Sequence, residues 1–196
     1  PVKLPDMDPE ILSKLIFCFE NDPERNDGIV SGAQDAIGIC VPGLCRHYYN
    51  NRFWPDKFER CDDETVLSWL EEHLCMIAME PRRPGCSVVA GKDITETKVK
   101  TLAQAADDCW KAIMAKDYLA FSRAFKASFD AQVSMFPAMI QGCVQSYIDK
   151  YSALPGVKAW KMPGAGGGGY LVLVVDDVKN FAKAHPEAIP LTIRRK

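Results

Sequence analysis

The sequence predicts an α+β fold, a mainly antiparallel sheet covered by a layer of helices, and three observations lead there. From Leu74 onward the residue pattern reads strand, three helices, strand, strand, helix, strand, so helices and strands are segregated, not regularly alternating. Turn sequences such as Pro81-Arg82-Arg83-Pro84-Gly85 and Pro155-Gly156 punctuate the pattern. Tyr170-Leu171-Val172-Leu173-Val174-Val175 is a strongly β-favouring run of strand length.

Taken in order, Asp8 can cap a first helix and Pro9 suits its first turn, with Ile11, Leu12, Leu15, Ile16 and Phe19 as one apolar stripe ending before Asn21-Asp22-Pro23. A loop through Asn26-Asp27-Gly28 leads to Ser31-Gly32-Ala33-Gln34-Asp35, and a short helix is expected over 36–40, ended by Pro42-Gly43. The aromatic-rich segments 44–49 and 53–61 flank Asn50-Asn51-Arg52 as a hairpin. Asp62 or Asp63 opens a helix carrying Val66, Leu67 and Leu70, and 74–79 follows as a buried strand. Asp93 and Glu96 have the spacing of a capping box for a long helix whose face includes Leu102, Ala105, Ala106, Cys109 and Ile113. Asp117 breaks it, since the stripe Phe121, Phe125, Ser128 and Gln132 is offset; Pro137 limits this second helix, and 140–151 makes a third. Segments 157–162, 170–175 and 189–193 are expected to share one sheet, with a short helix over 178–184.

The 196 residues suffice for one compact domain, or one plus part of a neighbour. With 47% hydrophobic and 26% charged residues the composition is that of an ordinary globular chain. No apolar run approaches the ~18 residues needed to span a bilayer, so no membrane partner is expected. A net charge of -2 offers no general attraction for nucleic acid or anionic lipid, and a partner has to be recognised through a site. The eight cysteines contain no Cys-x-x-Cys and follow no disulfide framework, which points to the reducing cytoplasm. Pro1-Val2-Lys3-Leu4-Pro5-Asp6 has no signal-peptide character, and the missing initiator Met suggests a processed or trimmed piece of a longer chain. His47, His73 and His185 are scattered, so no metal site is expected. Asp176-Asp177 reads as a cap for the following helix, and Arg194-Arg195-Lys196 as solvated surface.

Gly164-Ala165-Gly166-Gly167-Gly168-Gly169 satisfies G-x-G-x-x-G but leads into a strand, where a dinucleotide fold requires a helix, and it lacks the Lys and Ser or Thr of a Walker loop. Five glycines in six residues allow close approach to a phosphate or to neighbouring backbone, and both readings stand on sequence alone. Asp35 follows Gly32 at a loop-to-helix junction, where a carboxylate serves as a helix cap or accepts a proton from a hydroxyl.

Together the two segments resemble the GHMP kinases, the superfamily of galactokinase, homoserine kinase, mevalonate kinase and phosphomevalonate kinase, nearest to its heptose- and fucose-phosphorylating branch. Lys161-Met162-Pro163-Gly164-Ala165-Gly166-Gly167-Gly168-Gly169 is similar to the family's carboxy-terminal Lys and G-A/S-G-x-G-G motif, and Gly32-Ala33-Gln34-Asp35 to the Gly-x-Gln-Asp of its sugar kinases. The resemblance covers the later half of a typical member and lacks the P-x-x-x-G-L-G-S-S phosphate loop. It implies a ferredoxin-like carboxy-terminal domain over 63–196, preceded over 1–62 by the remainder of the nucleotide-binding domain. It further implies transfer of phosphate from ATP, with Mg2+, to a hydroxyl of a sugar or sugar phosphate. Asp35 is then the base, Ser31, Gly32 and Gln34 line the acceptor, and Lys161 with the loop from Gly164 to Gly169 borders the phosphates. Alternatives are a catalytically silent module of the same fold and an ATP-dependent decarboxylase. Residues 1 to about 60, deprived of sheet partners, are expected to be less ordered or held by a second copy, giving a homodimer.

Overall fold

The structure, a computed structural model, describes residues 6–24, 30–83, 85 and 87–195. The expected Asn26-Asp27-Gly28 turn, the opening residues 1–5, Pro84 and Lys196 lie outside them. The chain divides into two compact units: the first runs to Leu67 and takes in the segment from Ile193 onward, and the second is Ser68–Thr192. The sequence expectation put a boundary after residue 62.

In the first unit, helix α1 (Pro9–Glu20) begins as expected, because Asp8 Oδ1 accepts from the backbone N–H groups of Glu10 and Ile11 at 2.9 and 3.1 Å. Its apolar stripe is only partly covered. Leu12 is buried, whereas Ile11, Leu15 and Phe19 are 54%, 54% and 60% exposed. Helix α2 (Gln34–Cys40) starts two residues earlier than expected and packs Ala33, Ile37 and Val41 against Phe17, Cys45, Trp54 and Phe58. Strands β1 (Leu44–Tyr48) and β2 (Lys57–Cys61) form the antiparallel hairpin, with Cys45 opposite Arg60 and His47 opposite Phe58. The basic carboxy-terminal residues depart from the expected solvated surface. Gly43 N–H donates to Arg194 O at 2.8 Å, and Arg195 grips Glu64 through Nε and Nη2 at 3.0 and 2.9 Å.

Helix α3 (Glu64–His73) carries the chain into the second unit, where strands β3 (Leu74–Ala78), β4 (Val157–Lys161), β5 (Tyr170–Val175) and β6 (Ala188–Pro190) make one antiparallel sheet in the order β4-β5-β3-β6. The three late strands therefore share a sheet, as the sequence predicts. Helices α4 (Glu96–Ala115) and α5 (Tyr118–Met135) are joined at Lys116, whose φ of 54° turns the chain, and Asp117 caps α5 by accepting from Ala120 N–H at 3.0 Å. The expected Asp93–Glu96 capping box is absent: Thr95 is the N-cap of α4, and Asp93 instead pairs with Lys98 Nζ at 2.6 Å. The third helix, α6 (Val144–Ser152), begins later than expected, after a 3-10 turn at Pro137–Met139 and Gly142 at φ 63°. Helix α7 (Val178–Ala184) is capped by Asp177, which accepts from Asn180 N–H at 2.7 Å. Cys75, Ile77, Leu171, Leu173 and Val175 of the sheet join Phe129, Met139, Val144, Ile148, Tyr151 and Phe181 in the core. Each Val, Leu, Ile, Met or Phe among them contributes about 1.5–3 kcal/mol on removal from water. No helix among the described residues is long and apolar enough to cross a membrane.

Candidate functional site

The first group of candidate residues sits at the entry to α2. Asn21, at the end of α1, holds the approach: its Oδ1 accepts from Ser31 N–H at 2.6 Å, while its Nδ2 donates to Phe17 O at 2.8 Å. Gly32 accommodates the Gln34 side chain, whose Oε1 lies 2.3 Å from where a Cβ on Gly32 would stand. The N-cap position belongs to Ala33, which makes no side-chain capping bond, so Asp35 lies inside the first turn and is not the cap. Ala33, Ala36 and Ile37 are fully buried and anchor this turn, leaving Gln34 and Asp35 exposed on its outer side. A carboxylate in a first turn is favoured by the helix dipole, and this one is accessible to a ligand hydroxyl.

The second group surrounds the glycine segment in the second unit. The loop extends the β3–β5 pairing: Met79 N–H donates to Gly169 O at 2.8 Å and Gly169 N–H to Glu80 O at 3.0 Å. Gly167 N–H donates to Met139 O at 2.9 Å. All five glycines have positive φ, from 68° at Gly164 to 144° at Gly168. A Cβ on Gly166 would meet Met139 Cβ at 2.8 Å, and one on Gly168 would meet Glu80 O at 2.6 Å and Arg82 N at 2.8 Å, whereas Gly164 and Gly169 face open space. Ala165, at the tip, is exposed.

Lys161 points inward. Its Nζ donates to Gln132 Oε1 at 2.8 Å, and Gln132 Nε2 reaches Gly164 O at 3.4 Å. Burial pulls the Lys161 ammonium down to about 8, opposed by nearby Cys109, whose own thiol burial pushes up to about 11. Arg82 Nε donates to Gly166 O at 3.0 Å. Asn21, Arg82 and Gln132 were not singled out as site residues from sequence. Gln132 did leave a signal, a polar residue standing in the apolar stripe of α5.

The structure thus places Ser31, Gly32, Gln34 and Asp35 together in one unit, and Lys161 with Gly164, Ala165, Gly166, Gly167, Gly168 and Gly169 together in the other. The histidines serve packing: His47 lies edge-on to Phe58, His73 Nδ1 is 3.1 Å from Val175 O, and His185 stacks near Phe181. Among the described residues no three His, Cys, Asp or Glu gather where a metal ion could be held.

No family model matches the sequence, and no curated protein matches it at significant similarity. Solved structures do. A protein described as a sugar kinase from Campylobacter jejuni superposes with a TM-score of 0.67 at 18% identity, covering 97% of this chain and 56% of its own. A D-glycero-D-manno-heptose 1-phosphate kinase from Bacteroides thetaiotaomicron gives 0.63 at 14%, covering 97% and 54%. A mevalonate kinase gives 0.68 at 14%, covering 97% and 59%. The chain has the fold of the GHMP kinases. It spans little more than half the length of these GHMP structures, and at such identities the likeness establishes the fold alone. Within a GHMP fold the glycine segment is the β4–β5 connection, pinned to the 3-10 turn before α6 and to the residues after β3.

Proposed function

We propose that the chain is the later part of an ATP-dependent small-molecule kinase that phosphorylates a hydroxyl of a sugar or sugar phosphate. The observation that carries this reading is the GHMP fold over 97% of the chain, and the exposed Asp35 at the start of α2 supports it. Phosphoryl transfer asks a protein chiefly for positioning and charge stabilisation. Asp35 accepts the proton of the acceptor hydroxyl as that oxygen bonds to the terminal phosphorus of ATP and the bond to the bridging oxygen breaks, releasing ADP. Ser31, Gly32 and Gln34 orient the acceptor, and the rigid glycine loop with Lys161 borders the phosphates. On this reading the main ligands of Mg2+ belong to a part of the protein outside this chain. Residues 1–62 belong, on this reading, to the nucleotide-binding domain and 63–196 to the carboxy-terminal domain. The seven free thiols among the described residues accord with a cytoplasmic setting.

A second reading, a catalytically silent module, is favoured by one observation: the glycines at 166 and 168 are already required by packing. One experiment separates the two. In the complete gene product, assayed against a panel of sugars and sugar phosphates, Asp35→Asn is expected to lower kcat by ~10²–10⁴-fold with nucleotide affinity little changed. Unchanged turnover removes Asp35 as the base, and a complete protein without turnover on any acceptor supports the silent module. The 196-residue chain by itself is expected to show no turnover.

A further inference from the structure

We propose that Arg82 is an anion-binding residue of the glycine loop, its two Nη groups meeting a phosphate held there; the proposal deepens the kinase reading and rests on it for the identity of the anion. The guanidinium is already fixed in place. Its Nε donates to Gly166 O at 3.0 Å, which fixes the plane of the guanidinium beside the loop and leaves Nη donors available to a ligand. A flexible lysine at the same place would have to be ordered by the ligand, whereas this fork is ordered before the ligand arrives.

The backbone of Arg82 is part of the same construction. Gly168 approaches Arg82 N so closely that a Cβ would stand 2.8 Å away, and Gly169 N–H binds Glu80 O at 3.0 Å. The loop therefore meets the Glu80–Arg82 segment at three points within one unit, two of them at Arg82 itself, and the glycines that look suited to a phosphate carry the cation beside them.

Arg82 is also exposed and, among the described residues, has no carboxylate within ion-pair distance. Arg195 shows the contrast, since Glu64 takes its Nε and Nη2 and the backbone carbonyl of Ile193 accepts from its Nη1. Lys161, the cation that the sequence places beside the loop, turns inward to Gln132. Arg82 is thus the described cation that both bonds to the loop and faces solvent. A planar, permanently charged fork without an acidic partner matches two oxygens of a phosphate group.

The test is an NMR titration of the 15N-labelled 196-residue chain with inorganic pyrophosphate at low ionic strength, for the unmodified protein, Arg82→Gln and Arg82→Lys. Saturable shifts are expected at the amides of Gly166 and Gly168 and at Arg82 Nε–H. The dissociation constant should rise at least ten-fold in Arg82→Gln and less in Arg82→Lys, which keeps the charge. Before pyrophosphate is added, the Gly166 and Gly168 resonances report whether the loop itself has survived each substitution. If Arg82→Gln disturbs the loop, Arg82→Lys with an intact loop and weakened binding still supports the assignment. Equal affinity in all three proteins, or no saturable shift in the unmodified chain, overturns it. The kinase reading is judged separately by turnover of the complete protein. Turnover with unchanged pyrophosphate binding in Arg82→Gln removes only Arg82, and Arg82-dependent binding without turnover removes only the kinase.

Discussion

Gly164 and Gly168 stand four residues apart in one loop, and a methyl group added at each meets opposite surroundings. At Gly168 it would stand 2.6 Å from Glu80 O and 2.8 Å from Arg82 N, backbone atoms that cannot swing aside, at a φ of 144°. Gly168→Ala is expected to destabilise the second unit by about 3 kcal/mol. Gly164→Ala meets nothing within 4 Å, and only its φ of 68° opposes it, so about 1 kcal/mol is expected. Urea denaturation of the two variants measures the difference; equal losses would mean that the loop is not pinned as described. Lys161 gives a second prediction at this scale. Its ordinary value of 10.5 falls to about 8 in the folded chain, so between these values the unfolded chain binds the extra proton and raising the pH favours folding. Between pH 8 and 9, stability should rise by up to about 1.4 kcal/mol per pH unit relative to Lys161→Met. A flat difference between the two proteins would show that the amine is not buried. The glycine run and Lys161 were legible as residue types. Which glycines touch backbone and which way the lysine turns were not, because both depend on Met139, Glu80 and Gln132, which come from distant segments.

The helix ends show what a local pattern can and cannot decide. Asp8 and Asp177 stand where the sequence marks them, at the N-caps of α1 and α7, and Asp117, read from sequence as the break between two helices, caps α5. Asp93 does not, because its backbone N–H is drawn to Met135 O at 2.9 Å, which keeps it outside the helix and passes the cap to Thr95. Thr95→Ala is accordingly expected to cost about 1 kcal/mol and Asp93→Ala less, since the latter loses only an exposed pair with Lys98. Thermal denaturation of both variants checks the order, and the reverse order would restore the Asp93 capping box. Helix α1 teaches a related lesson. Periodicity reveals an apolar face, but whether Ile11, Leu15 and Phe19 are covered depends on what the rest of the molecule brings to them.

At the scale of the molecule the second unit was the more legible, since its strand and helix order follows from Leu74 onward in the sequence, while the boundary at Leu67 falls inside a helix and carries no local mark. The two units differ in what they bury. The second has a broad core of sheet and helix side chains, and the first surrounds Ala33, Ile37 and Val41 with partly exposed neighbours. Native-state hydrogen exchange should therefore retain the amides of β3 and β5 longest and release those of the β1–β2 hairpin early. The opposite order would place the more stable core in the first unit. The sheet order has a further consequence, for solubility. The most β-favouring segment, Tyr170–Val175, runs between two partners and offers no free rim. The outer strands are poor templates for a second molecule: β6 has three residues and ends in Pro190, which has no N–H to give, and β4 is interrupted between Val157 and Ala159. The sequence thus shields its most amyloid-prone stretch by where it sits in the sheet, and guards the rims with a proline, a bulge and the lysines of β4.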